Sequence, residues 1–365
     1  MIGVLGAGQL GRMLALAGAP LGEMFAFLHP SDGASVRGLG EMIVAPYDDR
    51  ARLEELARRA RVVTYEFESV PAEPVRWLAE RVPVYPPPRA LEVSQDRLLE
   101  KTFFEELGIP TAKFAAVSDE AQLHAAVAKL GLPAFLKTRR GGYDGKGQAR
   151  LETPADVAAA WRALGGAPLI LEQHVAFERE LSIVAVRSPS GELRAYPLVE
   201  NEHRAGILRV SRAPAPGATP ALEAKARAYA DRICRKLDYV GVVAIELFAA
   251  KDELLVNEMA PRVHNSGHFS IEGAETSQFE NHLRAILGLP LGDTRAVGVS
   301  AMLNLIGGIP PREEILAVPG AHLHLYGKEP KPARKVGHVT VRAESGGELD
   351  LAVARLAPIV RRAES

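Results

Sequence analysis

Ile2-Gly-Val-Leu-Gly-Ala-Gly-Gln-Leu-Gly-Arg-Met13 is the stretch from which the fold class follows. Ile2 to Leu5 is an apolar run too short for a helix and stopped by Gly6, so it reads as a buried strand. Behind it, Leu10, Met13, Leu14 and Leu16 keep helical spacing over residues 8–18. Phe25 to Leu28 and Val62 to Tyr65 read as further strands, with a helix over 51–60 before the second. Strands alternating with helices predict an α/β unit with a parallel sheet covered on both faces. Gly6-Ala-Gly8-Gln-Leu-Gly11 sits between strand and helix, where glycines permit a tight turn and helix amides face an anion. A dinucleotide site also wants an acid about 20 positions on. Here Phe27-Leu-His-Pro-Ser-Asp32 brings the acid late and behind a proline. A dinucleotide, another phosphate ligand and a purely structural turn all stay open on these residues.

The 365 residues suffice for two or three domains. Lys and Arg total 44 against 45 Asp and Glu, a net charge of −1, so a basic nucleic-acid footprint is missing and no such partner is expected. No run approaches the roughly 18 apolar residues of a membrane span, so no membrane partner is expected either. Met1-Ile-Gly-Val-Leu-Gly6 lacks the basic start of a signal peptide. Cys234 is the single cysteine, which excludes an internal disulfide and makes a reducing cytoplasm the expected compartment.

Pro83-Val-Tyr-Pro-Pro-Pro88 stiffens the exit from the first unit and sets a boundary near residue 95. A helix is expected over 94–107, capped by Ser94 and stopped by Gly108 and Pro110. Strands are expected over 134–138, 148–151 and 169–172 around a helix over 154–164, then over 180–187, 193–200 and 207–213. A helix over 221–237 leads into a hairpin of 242–250 and 254–260.

Arg139-Arg-Gly-Gly-Tyr-Asp-Gly-Lys-Gly-Gln148 lies between two of these strands and follows Lys137. It is no Walker A loop: Gly145-Lys146 comes one residue early, and Gly147 stands where Ser or Thr would hold magnesium. Its glycines carry an entropy cost that close approach to phosphate oxygens explains, with Lys137 and Lys146 adding charge. A plain flexible hairpin loop is the alternative. Tyr143 and Asp144 are the residues expected to touch a second substrate.

Glu246 and Glu258 flank the expected turn Lys251-Asp-Glu253, equally far from Asp252. A tight hairpin then sets them opposite one another on one face, roughly 5 Å apart. Val243, Ile245, Leu247 and Met259 around them are apolar, so facing carboxylates need a cation, and magnesium with oxygen ligands is the candidate. Asn257 adds an oxygen if twist or a bulge turns it inward. A register slip that exposes one glutamate is the alternative. In Pro261-Arg-Val-His-Asn-Ser-Gly-His268, Arg262 and His264 share a side if extended. Zinc at His264 and His268 lacks supporting cysteines or H-E-x-x-H spacing. A guanidinium–imidazole clamp for a small planar oxyanion fits better, beside the ordinary reading of core or surface histidines.

Together with Glu172-Gln173 and Glu180, these features resemble the ATP-grasp enzymes. Four strings are similar to the branch of that family that carboxylates an aminoimidazole ribonucleotide in purine synthesis: Gly6 to Met13, Gly141 to Gln148, Asn257 to His268, and Gly327 with Arg334-Lys-Val-Gly-His338. The likeness spans essentially the whole chain. It implies an α/β (α+β ATP-grasp) architecture: an N-terminal Rossmann-like domain over 1–95, an ATP-grasp domain over 96–290 with a lid at about 113–177, and a C-terminal domain over 291–365.

The resemblance also implies a reaction. ATP phosphorylates bicarbonate to carboxyphosphate, and the amine of aminoimidazole ribonucleotide takes up the carboxyl group. Phosphorylation gives a poor electrophile a leaving group, while Mg2+ and lysines neutralise the transferring phosphoryl. ATP is implied at Arg97, Lys137, Gly142, Tyr143, Asp144, Gly145, Lys146, Gly147, Gln148, Glu172, Gln173, His174, Val175, Glu180 and His203. Within that set, residues 172–175 form the adenine-reading hinge and Glu180 meets the ribose. Mg2+ is implied at Glu246 and Glu258, with Asn257 beside them. Arg262 and His264 would hold bicarbonate and carboxyphosphate. Asp144 would meet the exocyclic amine, with Lys146 contributing charge and Tyr143 helping to close the site. The ribonucleotide is implied at Gly8, Gln9, Leu10, Glu66, Lys328, Arg334 and Lys335, its 5′-phosphate by the basic residues and its ribose by Glu66. A cytoplasmic homodimer is implied as well.

Three rivals remain in view. The formate-dependent formyltransferase of the same pathway would show a string like Pro-Arg-Pro-His-Asp-Thr-Gly, where Val263 and Asn265-Ser266 stand here. A nicotinamide-dependent dehydrogenase is motivated by Gly6–Gly11. A non-catalytic nucleotide sensor is disfavoured by the acidic pair and the Arg262/His264 pair.

Overall fold

This computed structural model describes residues 1–142, 147–250 and 253–364. The chain begins with β1 (Ile2–Leu5), α1 (Gln9–Gly18), β2 (Phe25–His29), β3 (Glu41–Val44), α2 (Arg50–Arg59), β4 (Val62–Tyr65), α3 (Ala72–Ala79) and α4 (Pro88–Ser94). The four strands form a parallel sheet in the order β3-β2-β1-β4. Ile2, Val4, Leu5, Phe27 and Val63 are fully buried, as strands covered by helices on both faces should be. β3 escapes the sequence reading because it is an edge strand whose only buried side chain is Ile43. The proline-rich segment does not simply leave the unit, since Val84 bridges to Val63 beside β4.

α5 covers Arg97–Glu106, and its cap corrects the expected one. Asp96, not Ser94, accepts from the Leu98 and Leu99 N–H groups. Ser94 instead closes α4, donating its hydroxyl to the Leu91 carbonyl. A carboxylate at that end also complements the helix dipole, which a hydroxyl does not.

Next come β5 (Phe114–Val117), α6 (Glu120–Leu130), β6 (Ala134–Thr138), β7 (Gln148–Leu151), α7 (Asp156–Leu164) and β8 (Leu169–Gln173). Their antiparallel sheet runs β5-β8-β6-β7. It has its own core, including Val117, Leu123, Leu136, Leu151 and Leu171.

The remaining elements are β9 (Arg179–Arg187), β10 (Leu193–Ala195), β11 (Val199–Arg204), β12 (Ile207–Ala213), α8 (Pro220–Lys236), β13 (Gly241–Ala250) and β14 (Glu253–Ala260). α9 (Ser270–Gly273), α10 (Gln278–Ile286), β15 (Val299–Ile306), α11 (Arg312–Leu316), β16 (Ala321–Leu325), β17 (Lys335–Ala343) and α12 (Gly346–Arg362) complete the chain. Their strands make one nine-stranded sheet, β14-β13-β9-β11-β12-β15-β17-β16, with β10 added on β9. The stretch expected as one strand over 193–200 breaks between β10 and β11 at Pro197, which has no N–H for a ladder. Val210 of β12 pairs with Leu303 of β15, so a boundary at residue 290 falls between strands of a single sheet.

Candidate active site

The acidic pair sits on β13 and β14. Glu246 pairs directly with Glu258, while Leu247 pairs with Val256, so Asn257 is the extra residue of a bulge. Lys251 and Asp252 of the expected turn lie outside the described residues. Burial, reinforced by the facing Glu258 charge, pushes the Glu246 carboxyl up to about 8. A raised Glu246 carboxyl opposite a second, exposed carboxylate fits a divalent cation. Among the described residues no group of three or more acidic, His or Cys side chains is arranged to hold a metal. A cation at this pair would therefore complete its shell with phosphate oxygens and water, the usual habit of magnesium.

Beyond β14 the chain turns at Pro261. The Arg262 guanidinium contacts the Glu68 carboxylate and donates from Nη1 to the Val263 carbonyl at 2.8 Å, while its buried Nε has no partner among the described residues. His264 Nδ1 lies 2.9 Å from Ser266 Oγ and accepts from the Ser266 N–H at 3.3 Å. That arrangement places the ring proton on Nε2, which faces Glu246 Oε1 at 3.4 Å. Burial, with the Arg262 and Lys335 charges adding to it, holds His264 neutral, well below its ordinary range. Gln278 grips the same residue from α10: it accepts from the His264 N–H at 2.9 Å and donates to the His264 carbonyl at 2.6 Å.

A second cluster joins α5 to the lid sheet. Lys137 Nζ donates to Glu172 Oε2 at 3.0 Å, and fully buried Lys101 approaches the same oxygen at 3.7 Å. Burial alone would raise the Glu172 carboxyl, but the two lysines outweigh it and hold it below its ordinary range. Arg97 donates to the carbonyls of Thr138 at 3.0 Å and Gly142 at 2.9 Å, so it braces the start of the glycine loop. Asp96 receives both ends of the Arg139 guanidinium, at 2.9 and 2.7 Å, and Arg140 at 3.2 Å. Gly147 has φ +68°, and a Cβ there would meet Thr138 Oγ1 at 2.7 Å, so this corner admits only glycine. Nearby, His203 Nδ1 meets the Glu180 carboxylate, which raises the imidazole against its burial. Glu180, Asn201 and His203 line a cavity of about 530 Å³, beside the stacked rings of Phe177 and Phe248 at 4.5 Å.

The N-terminal glycine turn faces a different partner. Glu66, from the end of β4, accepts from the Gly8 N–H at 2.9 Å and the Gly11 N–H at 3.2 Å. A Cβ on Gly6 would lie 2.5 Å from Glu66 Oε1. The amides that would cradle a dinucleotide pyrophosphate are thus taken by a carboxylate of the chain itself. Lys328 reaches across from the C-terminal region to the Gln9 side-chain oxygen, and Gly327 packs against the Ala34 carbonyl.

Comparison with known proteins places this geometry. Family models match a ribonucleotide synthetase preATP-grasp domain over 1–95, an ATP-grasp domain over 102–279, and a phosphoribosylaminoimidazole carboxylase C-terminal domain over 300–351. The chain is 54% identical over 359 residues to the N5-carboxyaminoimidazole ribonucleotide synthase of Pseudomonas aeruginosa, covering 98% of this chain and 99% of that one. The chain belongs to the N5-carboxyaminoimidazole ribonucleotide synthase family. Among solved members of this synthase family, the Thermus thermophilus synthetase is 57% identical with a TM-score of 0.95, covering 98% of both chains. The Aspergillus clavatus synthase in complex with ADP and 5-aminoimidazole ribonucleotide is 32% identical with a TM-score of 0.92, covering 99% of this chain and 98% of that one.

Within this synthase fold, the structure brings together Glu246 with Glu258 and His264, Lys137 with Glu172, Glu180 with His203, Gly8 with Glu66, and Gln9 with Lys328. Gln173 and His174 anchor the end of β8 instead, the first donating to the Leu130 carbonyl and the second to the Pro133 carbonyl. Leu10 puts its side chain into the core, and Arg334 is exposed with Nη1 donating to the Glu329 carbonyl at 3.3 Å. Tyr143, Asp144, Gly145 and Lys146 lie outside the described residues. The sequence reading missed Glu68, Glu100, Lys101, Phe177, Phe248 and Gln278. Only Lys101 left a signal: one helical turn after Arg97, it puts a second cation on the same helix face.

Proposed function

We propose that this chain converts 5-aminoimidazole ribonucleotide to N5-carboxyaminoimidazole ribonucleotide, using ATP and bicarbonate and releasing ADP and phosphate. It is an ATP-dependent ATP-grasp ligase of purine biosynthesis. The observation that carries the assignment of roles is the facing of Glu246 and Glu258, with His264 Nε2 beside Glu246.

Glu246 and Glu258 would hold Mg2+, which supplies charge neutralisation for the triphosphate. Lys137 and Arg97 sit on the nucleotide side, where Lys137 exchanges its Glu172 partner for phosphate oxygens. Residues 172–175 and Glu180 with His203 receive adenine and ribose. On the other side, Arg262 Nε, which has no partner among the described residues, and the His264 Nε2–H are donors fitted to a planar oxyanion. They would orient bicarbonate toward the γ-phosphate and then grip carboxyphosphate while the amine attacks its carbon and phosphate departs. Lys328, Arg334 and Lys335 would hold the ribonucleotide 5′-phosphate, with Glu66 near its ribose. The roles of Tyr143, Asp144 and Lys146 rest on the resemblance of their string. The division near residues 95 and 290, a homodimer and a cytoplasmic location belong to the same reading. No helix among the described residues is long and apolar enough to cross a membrane.

Release of ADP that requires both bicarbonate and 5-aminoimidazole ribonucleotide tests the reading. ADP release supported instead by formate with glycinamide ribonucleotide would replace it with the formyltransferase.

A further inference from the structure

We propose that Lys101 is a positioning residue for the carboxylate pair, holding the bulge that turns Glu258 toward Glu246. The inference rests on the reading of that pair as the metal site.

β14 is the outer strand of its sheet, so one side of its backbone has no neighbouring long strand. It is also bulged at Asn257. A bulge on an edge is the part of a ladder freest to change register. Here α5 and the turn after it meet the strand group by group. The Val256 N–H donates to the Pro110 carbonyl at 2.8 Å, and Thr111 Oγ1 donates to the Val256 carbonyl at 2.7 Å. Lys101 Nζ donates to the Asn257 carbonyl at 2.7 Å, and the Met259 N–H donates to Glu100 Oε1 at 2.8 Å. Two consecutive helical residues, one acidic and one basic, thus grip the backbone on both sides of Glu258.

Lys101 is 2% exposed; its ammonium donates to the Asn257 carbonyl and to Thr111 Oγ1 at 3.0 Å and forms an ion pair with Glu172 Oε2 at 3.7 Å. An ammonium in such a place is costly, and an apolar side chain of the same length would fill the space more cheaply. What methylenes cannot do is hold the carbonyl of the bulged residue outward while also countering Glu172. If Lys137 turns to the triphosphate, Lys101 remains as the counter-ion of Glu172. One buried cation therefore touches both the nucleotide hinge and the backbone that presents a metal ligand.

The test compares wild type, Lys101→Met and Glu258→Gln as full-length proteins. Mn2+ binding is followed by equilibrium dialysis at saturating ADP, beside ADP affinity in EDTA and the melting temperature. Lys101→Met should weaken Mn2+ about 10-fold, the scale of a lost outer-shell contact, with a much smaller change in metal-free ADP binding. Equal losses of Mn2+ and ADP affinity with a lowered melting temperature would mean general loosening and overturn the proposal. Unchanged Mn2+ affinity in Lys101→Met, with Glu258→Gln impaired, would overturn it while sparing the metal site. Wild-type Mn2+ binding by Glu258→Gln would instead remove the metal site itself, and the clamp with it. Should Lys101→Met fail to fold, Thr111→Val takes its place, with a smaller shift in the same direction expected and none overturning the idea.

Discussion

Glu246 faces Glu258 because Asn257 is one residue too many. Counted from the Ala250–Glu253 pair, a regular ladder would set Glu246 against Asn257, and the bulge moves the register on by one. The acidic pair is a product of backbone irregularity, and its chemistry can be tested apart from the fold.

Glu258→Gln keeps the shape of the side chain and removes its charge. Turnover should fall by about 100-fold or more, as for other lost electrostatic groups at a reacting phosphate, while circular dichroism stays that of the wild type. Full ADP release by this variant would remove the pair from the reaction.

Lys328→Ala takes away the cation that reaches Gln9 beside the glycine turn. The KM for 5-aminoimidazole ribonucleotide should rise about 10-fold, the loss of one charged hydrogen bond, and the KM for ATP should hold. Arg334→Ala should act in the same sense. Equal effects on both substrates would contradict the placement of the 5′-phosphate.

Glu66→Ala leaves the Gly8 and Gly11 N–H groups without their acceptor. Urea unfolding should show a loss of about 2 kcal/mol, the usual scale for an orphaned buried donor pair. Unchanged stability would show that water serves these amides as well as the carboxylate does.

His282 gives the pH dependence a sign. Its Nδ1 accepts from the Val242 N–H at 3.1 Å and its Nε2 lies 2.9 Å from Thr64 Oγ1. Burial lowers the imidazole from 6.5 to about 3. As pH falls below 6.5 the unfolded chain takes up this proton and the folded chain does not, so stability drains away until about pH 3. Between pH 7 and 5 wild type should lose about 2 kcal/mol more than His282→Gln in urea unfolding. Parallel curves for the two proteins would refute the linkage.

The parallel sheet and the two strands of the acidic hairpin were legible because an apolar period is local, whereas the facing of Glu246 with Glu258 comes from a bulge that turn symmetry does not contain. Val62–Tyr65 and Ala134–Thr138 appear as strands where their apolar runs lie. Strand β3 was not legible, since Glu41–Val44 buries one side chain and offers no pattern. Asp96 was passed over for Ser94 because its second task, gathering Arg139 and Arg140, lies more than forty residues away. Distance in sequence also hid Gln278, whose grip on His264 comes from a different helix. The glycine turn reads alike whether a phosphate or Glu66 fills it, and only the folded chain tells the two apart.

The sheet β5-β8-β6-β7 has a private core, and α5 holds it by Asp96 to Arg139 and Arg140, by Lys101 to Glu172, and by Arg97 to the Thr138 and Gly142 carbonyls. The carboxylates of this seam are buried, so parting it strands charges that their partners now satisfy, and the seam resists opening. Dissolved salt, which screens exposed pairs far more than buried ones, should therefore leave the exchange of amides along this seam nearly unchanged.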